Sequence, residues 1–233
     1  MEVASFAGNL HHYNAGFEKE IAMIHIRPIL ALISLTLLLS ACASAPAAAP
    51  TVASTETDVP TAGTLIDPPK PLSDFTLASS EGGKPLSLSQ LRGKPVLLYF
   101  GYTFCPDVCP TTLAEFIRVK KDLASRADQL SVLMVSVDPE RDTPAVLERY
   151  MKAFDPSFIG MTGDEATLRR IGGEYGLFYQ RQAVSGSSAA YLMNHSAASY
   201  LIDPQGQLRM IYSYGTPHTV IAPDVERLLA ERR

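Results

Sequence analysis

Cysteine and basic residues are scarce in this chain of 233 residues. Three cysteines are too few for a scaffold held together by disulfides, so each needs its own explanation. The net charge of −4, with no dense basic cluster, argues against nucleic acid as a main partner. A hydrophobic content of 46% still supports a real core, and 19% charged residues is ordinary for a soluble globular domain.

The apolar stretch near the N-terminus, residues 29–39, is too short for a comfortable membrane span. It has the length of the hydrophobic region of a signal peptide. The stretch runs into Leu39-Ser40-Ala41-Cys42, and small residues before a cysteine resemble the lipobox of bacterial lipoproteins. We expect cleavage before Cys42 and lipid on its sulfur and its new α-amine. An uncleaved anchor, or a secretory signal with an incidental cysteine, is the alternative.

The chain is expected to have three parts. Residues 1–41 are the predicted signal peptide, and we hypothesise that translation starts at Met23, because residues 1–22 fit no signal peptide. Residues 42–69, rich in Ala, Pro, Thr and Ser, are the predicted lipidated, flexible tether. Residues 70–233 are the predicted folded domain. It is expected at the cell membrane, lipid-anchored, facing the periplasm or the cell exterior.

Apolar runs alternate with helical patterns through the folded domain. The pattern predicts buried strands at 96–100 and 132–137, a helix from Pro110, a helix over 164–171 ended by Gly172-Gly173, a hairpin of strands 199–202 and 208–212, and a final helix. This order is typical of an α/β domain with a central mixed β-sheet flanked by helices. With two thiols at the end of the first central strand, it looks like thioredoxin.

Those thiols are Cys105 and Cys109, in the segment Phe104-Cys105-Pro106-Asp107-Val108-Cys109-Pro110. Pro110 favours a helix that begins at that residue, which would put Cys109 at about the N-cap and Cys105 in the preceding loop. The first-turn amides and the helix dipole favour thiolate there. The spacing, one residue longer than the redox Cys-x-x-Cys, leaves a redox pair, a structural disulfide and a metal site open.

A third ligand would decide between metal and redox chemistry. The predicted domain holds two histidines, His195 and His218. His195 lies at the edge of a polar stretch, 181–190, interpreted as a surface insertion, on a loop that could fold over the dithiol. Two thiolates and one imidazole form a soft set that selects Cu(I), whereas zinc usually takes a fourth protein ligand.

Three segments of the domain resemble the Sco (SenC) family. They are Gly101–Leu113 (GYTFCPDVCPTTL), Val137–Pro144 (VDPERDTP) and Asn194–Ser196 (NHS), followed by Leu201-Ile202-Asp203-Pro204. The resemblance covers nearly the whole folded domain, in order. It implies a membrane-tethered copper protein of thioredoxin-like fold.

The resemblance also implies a ligand set and partners. Carried over residue by residue, the copper ligands are Cys105, Cys109 and His195, for Cu(I) and also Cu(II). The implied function is a metallochaperone that helps assemble the copper A centre of cytochrome c oxidase. The implied partners are the copper A subunit and a thiol reductant or another copper chaperone. The alternative is a thiol–disulfide oxidoreductase that acts on oxidase cysteines, so enzyme activity of the Cys105–Cys109 pair stays open.

Acidic residues near the dithiol have two interpretations. Asp138 and Asp142 follow the second buried strand, and the carboxyl ends of such strands gather at one edge of the sheet. They are candidates for residues that support the site or dock a partner, and Asp107, between the cysteines, is a third. The alternative is a solvated loop capped by Thr143.

Overall fold

The computed structural model describes residues 63–184 and 191–231, so the predicted signal peptide, Cys42 and most of the predicted tether lie outside the described residues. The strands are β1 (Thr64–Pro71), β2 (Thr76–Ser79), β3 (Pro85–Ser87), β4 (Val96–Gly101), β5 (Ser131–Ser136), β6 (Ile159–Thr162), β7 (Tyr179–Ala183), β8 (Tyr191–His195), β9 (Ser199–Ile202) and β10 (Gln207–Tyr212). The helices are α1 (Val108–Leu123), α2 (Pro144–Phe154), α3 (Glu165–Tyr175) and α4 (His218–Glu231).

Eight of these strands form one sheet in the order β1-β10-β9-β4-β5-β6-β2-β3. β4, β5 and β6 run parallel, and the other pairs are antiparallel, so the sheet is mixed as predicted. β7 and β8 form a separate antiparallel hairpin, in which Tyr179 is paired with His195. No helix among the described residues is long and apolar enough to cross a membrane.

The centre of the sheet is covered on both faces. Every residue of β4 is buried, and all but the first residue of β5 are buried. Successive side chains of a strand point to opposite faces, so complete burial requires cover on each side. α1 packs against α4 and α2, and α2 packs against β6. The α/β architecture expected from the sequence is therefore confirmed.

The folded domain begins earlier than residue 70. Thr64–Pro71 form β1, which pairs with β10 along the edge of the sheet. Six residues of the predicted tether, 64–69, are therefore strand. β1 is mostly exposed, and its sequence therefore lacks the apolar pattern that marks a buried strand. Its position depends instead on backbone pairing with β10.

Three element boundaries also differ from expectation. α1 begins at Val108 rather than Pro110, because the first N–H groups of a helix have no partner within it and Pro is tolerated there. α3 continues through Gly172-Gly173 and ends at Tyr175, and Gly176 caps it in the left-handed conformation with φ 66°. The predicted insertion at 181–190 includes part of β7, and residues 185–190 lie outside the described residues.

Candidate metal centre

Three soft ligand atoms meet at the carboxyl end of β4. The sulfurs of Cys105 and Cys109 and a ring nitrogen of His195 all lie within 4.8 Å of one another. Cys109 is buried, whereas Cys105 and His195 are partly exposed. Among the histidines, cysteines and acidic residues that the structure describes, no fourth ligand atom joins this group. The group therefore has a sheltered side and a side open to solvent.

The two cysteines reach the group from the loop after β4 and the start of α1. Cys105 lies in the loop, and its N–H donates to the carbonyl of Tyr102 at 3.4 Å. Cys109 lies in the first turn of α1, and its N–H donates to the Cys105 sulfur at 3.4 Å. Both thiols are free rather than joined in a disulfide. The helix start thus directs at Cys105 an amide that has no acceptor within the helix, and this donation favours the thiolate form of Cys105.

His195 is the last residue of β8 rather than part of a loop. Its Nδ1 lies 2.9 Å from the carbonyl oxygen of Ser196, and a carbonyl only accepts, so Nδ1 carries the proton. Nε2 is therefore unprotonated on the neutral ring, and it lies 3.8 Å from the Cys109 sulfur. This tautomer presents a lone pair to the dithiol, as a metal ligand requires.

Hydrogen bonding shifts the pKa values of the two thiols in opposite directions. Donation from the Cys109 thiol is the largest of the effects that lower the pKa of Cys105 to about 3. The same hydrogen bond, together with burial, raises the pKa of Cys109. The metal-free pair therefore holds one thiolate, at the more exposed cysteine, and one thiol beneath it.

Sequence reasoning missed two residues beneath the buried sulfur. The hydroxyl of Tyr99 lies 3.4 Å from the Cys109 sulfur and donates to it, and the Tyr99 ring meets the His195 ring edge-on at 6.1 Å between centroids. A Cβ on Gly101 would lie 2.5 Å from the Tyr99 ring and 3.2 Å from the Cys109 sulfur. Gly101 therefore leaves room for this contact. The glycine before the cysteine loop was the available signal, since it can mark a close approach.

The acidic candidates have different environments. Asp142 is fully buried and accepts hydrogen bonds from Ser136 and from the backbone and hydroxyl of Thr103, which lies in the cysteine loop. Burial raises the pKa of Asp142 in spite of these bonds. Asp138 is buried too and pairs with Arg141. The alternative of a solvated loop is thus wrong for both residues. Asp107 is exposed, and its carboxylate accepts a long hydrogen bond of 3.4 Å from the Thr111 hydroxyl.

His218 does not join the group. Its Nδ1 lies 2.6 Å from a carboxylate oxygen of Asp122, and its N–H donates to Glu115. His218 is the first residue of α4, and this helix packs against α1. Of the two histidines that the sequence offered, the structure brings only His195 to the dithiol.

The fold and the ligand atoms together define a class of protein. The domain is thioredoxin-like, and its dithiol lies less than 5 Å from an imidazole. Such a site is suited to hold a soft metal ion, because soft metal ions prefer thiolate and imidazole ligands. The comparison with known proteins narrows this class. The chain belongs to the SCO1/SenC family, whose model matches residues 65–230.

Relatives from several bacteria share the sequence and the fold. A SCO2-like protein of Rickettsia felis is 34% identical over 64% of this chain and 72% of its own length. The solution structure of apo Sco1 from Thermus thermophilus is 40% identical, covers 71% of this chain and 95% of its own, and has a TM-score of 0.63. The copper-bound ScoI of Bradyrhizobium japonicum is 35% identical, covers 68% and 99%, and has a TM-score of 0.61.

Proposed function

We propose that this domain is a copper metallochaperone whose cargo binds to Cys105, Cys109 and His195. The observation that carries the proposal is the meeting of two sulfurs and one imidazole within 4.8 Å, with Nδ1 of that imidazole turned towards the Ser196 carbonyl. This donor set suits Cu(I), whose soft character matches thiolate, and an imidazole also serves Cu(II). The copper-bound relative from Bradyrhizobium japonicum supports copper rather than zinc as the ion.

We further propose that the ion is delivered to the copper A centre of cytochrome c oxidase. A solved protein of the same fold, BsSco, is described as a member of the Sco family of cytochrome c oxidase assembly proteins. The exposed side of the site favours transfer, because Cys105 and His195 are accessible to incoming ligands while Cys109 is not. A receiving dithiol must be reduced before it can take the ion, so a thiol reductant or another copper chaperone is an expected partner.

Thiol–disulfide exchange is the second candidate function. The observation in its favour is the lowered pKa of Cys105, since the thiolate is the form that attacks a disulfide. Cys109 lies beside it and could resolve a mixed disulfide by closing the pair. This activity needs both cysteines but not His195, so one substitution separates the two functions.

The proposed location is the outer surface of a cell membrane. The lipobox-like segment that ends at Cys42 supports lipid anchoring, and residues between Cys42 and β1 would then form the tether. A SCO1/SenC family lipoprotein is known from Bacillus anthracis str. Ames. Mass spectrometry of the mature N-terminus tests this directly, and an intact precursor that begins at Met1 would contradict it.

Copper titration of the reduced chain tests the main proposal. We expect one Cu(I) per chain for the wild type, measured by competition with a chromophoric Cu(I) chelator, and a sulfur-to-metal absorption band with Cu(II). His195→Ala should weaken Cu(I) binding by at least about 10- to 100-fold, because loss of a group that only supports a metal ligand already costs that much. His218→Ala is the matched control, because His218 is bound to Asp122 instead. Full affinity in His195→Ala would contradict the proposed ligand set.

A further inference from the structure

An aromatic and guanidinium cluster lies beside the metal centre and is not part of its ligand set. Tyr191, the first residue of β8, has two guanidinium groups over its ring. The central carbon of Arg141 lies 3.7 Å from the ring centroid, and that of Arg181 lies 4.1 Å from it. A cation over the face of an aromatic ring is attracted by the negative charge of that face, so both contacts help to hold Tyr191 in place.

Hydrogen bonds hold the same tyrosine at both ends. Its hydroxyl donates to a carboxylate oxygen of Asp138 at 2.8 Å, and its carbonyl accepts from Arg141 at 3.0 Å. Asp138, only 1% exposed, pairs in turn with the Nε of Arg141. Arg181 pairs with Glu140 at 2.6 Å. Tyr191 is therefore bound from several sides to the loop between β5 and α2.

The cluster also reaches the cysteine loop. The Arg141 guanidinium lies 4.8 Å from the ring centroid of Phe104, which precedes Cys105, and 5.9 Å from that of Tyr102. The Tyr102 ring meets the His195 ring edge-on, at 5.8 Å between centroids. One arginine thus touches both the loop that carries Cys105 and the hairpin that carries His195.

The need for such a connection follows from the topology. β7 and β8 pair only with each other among the described strands, and not with the eight-stranded sheet. A two-stranded hairpin is marginally stable by itself in water, so side-chain contacts have to hold it in place. His195 lies at the end of β8, and it can serve as a ligand only while the hairpin stays against the dithiol.

We propose that Tyr191, clamped by Arg141 and Arg181 onto the β5–α2 loop, is the residue that positions His195 over the dithiol. This inference rests on the proposed function, because it assigns Tyr191 a part in the same site. Tyr191 touches no ligand atom, and it acts through the placement of β8. Release of this clamp would leave a dithiol without its imidazole, a weaker site from which copper passes more readily to another protein.

Two variants of Tyr191 test the proposal. Tyr191→Leu removes both guanidinium contacts and the hydroxyl, whereas Tyr191→Phe keeps the ring and loses only the hydroxyl. We expect Tyr191→Leu to raise the Cu(I) dissociation constant about tenfold, as loss of a group that orients a metal ligand does. For Tyr191→Phe, the increase in the logarithm of the Cu(I) dissociation constant should be less than a third of the increase for Tyr191→Leu. Hydrogen exchange of the metal-free chain should be faster in β8 of Tyr191→Leu than in the wild type.

The His195→Ala background separates positioning from general damage. If Tyr191 acts through His195, Tyr191→Leu should not weaken Cu(I) binding further once the imidazole is gone. An equal loss in both backgrounds would overturn the proposal, and so would unchanged exchange in β8 or unchanged affinity in Tyr191→Leu. If the wild type bound no copper, the proposed function would fail, and exchange in β8 would still decide whether Tyr191 holds the hairpin.

Arg141→Lys and Arg209→Gln complete the design. Arg141→Lys keeps the charge but loses the planar group that stacks on Tyr191, so it should reproduce the faster exchange in β8. Arg209 is the matched control, since its side chain is 16% exposed against 19% for Arg141 and also pairs with a buried aspartate, Asp203. Arg209→Gln should leave copper affinity and β8 exchange unchanged, and an equal effect of Arg209→Gln would overturn the proposal.

Discussion

At the scale of single residues, the buried side of the metal centre is shaped by Tyr99. Its hydroxyl donates to the sulfur of Cys109, and its ring contacts His195, so one fully buried side chain contacts two of the three proposed ligands. Groups that hydrogen-bond to a metal ligand commonly set its orientation and its donor strength. Tyr99 is therefore expected to affect the bound ion without contacting it.

Tyr99→Phe should raise the Cu(I) dissociation constant about tenfold, because the buried Cys109 thiolate loses its hydroxyl donor. Competition with a Cu(I) chelator measures the change. Tyr200→Phe is the control: the Tyr200 hydroxyl is also buried, on β9, but it donates to the carbonyl of Tyr175 at 2.9 Å and not to a sulfur. Both variants should lose fold stability, and only Tyr99→Phe should lose affinity. Equal affinities in the two variants would contradict this role.

Cys105 should remain reactive in acid. Its pKa is lowered to about 3, so its thiolate persists as the pH falls, whereas an ordinary thiol with a pKa of about 8.5 is protonated. We expect the alkylation rate of Cys105 in the metal-free, reduced chain to be nearly constant between pH 8 and about pH 5. The variant Cys109→Ala removes the principal donor and should restore a strong pH dependence.

The lowered pKa of Cys105 also makes the stability of the fold depend on pH. A depressed pKa in the folded state contributes stability above the pKa of the unfolded thiol, and this contribution is lost as the pH falls towards about 3. The raised pKa of Cys109 has the opposite effect: it lowers the stability of the fold at high pH.

The alkylation experiment also has a contradicting outcome. An alkylation profile with an inflection near pH 8.5 in the wild type would show that Cys105 and Cys109 do not share a proton in this way.

At the scale of elements, two glycines near the end of α3 that lie about one turn apart differ in backbone conformation. Gly176 ends the helix in the left-handed region, with φ 66°, where a side chain is strained. Gly173 lies inside the helix, and a Cβ there would meet no atom within 4 Å. The Gly-Gly pair in the sequence suggested the helix end, but backbone conformation places that end at Gly176.

Substitution by alanine should therefore have opposite effects at the two positions. Gly176→Ala should lower the free energy of unfolding by about 1 to 2 kcal/mol, the cost of left-handed backbone at a residue with a Cβ. Gly173→Ala should raise it by about 0.5 to 1 kcal/mol, because alanine favours a helix interior. Urea denaturation measures both values. A change of the same sign in the two variants would contradict this account of the end of α3.

At the scale of the whole molecule, the metal centre joins parts of the chain that are distant in sequence. Cys109 and His195 are separated by 86 positions, and their side chains meet at 3.8 Å. A ligand that binds only the folded arrangement stabilises it by mass action. Copper should therefore act as a link between the cysteine loop and the β7–β8 hairpin.

Cu(I) at about a thousand times its dissociation constant should stabilise the fold by about 4 kcal/mol, less whatever binding the unfolded dithiol retains. For a domain of this size, 4 kcal/mol corresponds to a rise of roughly 8 to 16 °C in the melting temperature. Thermal unfolding followed by circular dichroism under reducing conditions measures the shift. The shift should be smaller in His195→Ala, and an equal shift would mean that the imidazole is not a ligand.

The amino-acid sequence by itself determined the centre of the sheet and the place of the dithiol. Continuous apolar runs define β4 and β5, because strands covered on both faces have no polar side. The cysteines follow directly after β4, so their position at the edge of the sheet depends on local sequence alone. The same local signals correctly predicted the β9–β10 hairpin and the Thr143 cap of α2.

Only the tertiary structure decided which side chains share that edge. β1 has no apolar pattern and is placed by pairing with β10, and His195 reaches the dithiol because Tyr191 and its neighbours hold β8 there. Local sequence patterns report burial and backbone preference, and they carry no record of contacts between distant segments. The ligand set was suggested by residue types, but its distances and the proton on His195 exist only in the folded packing.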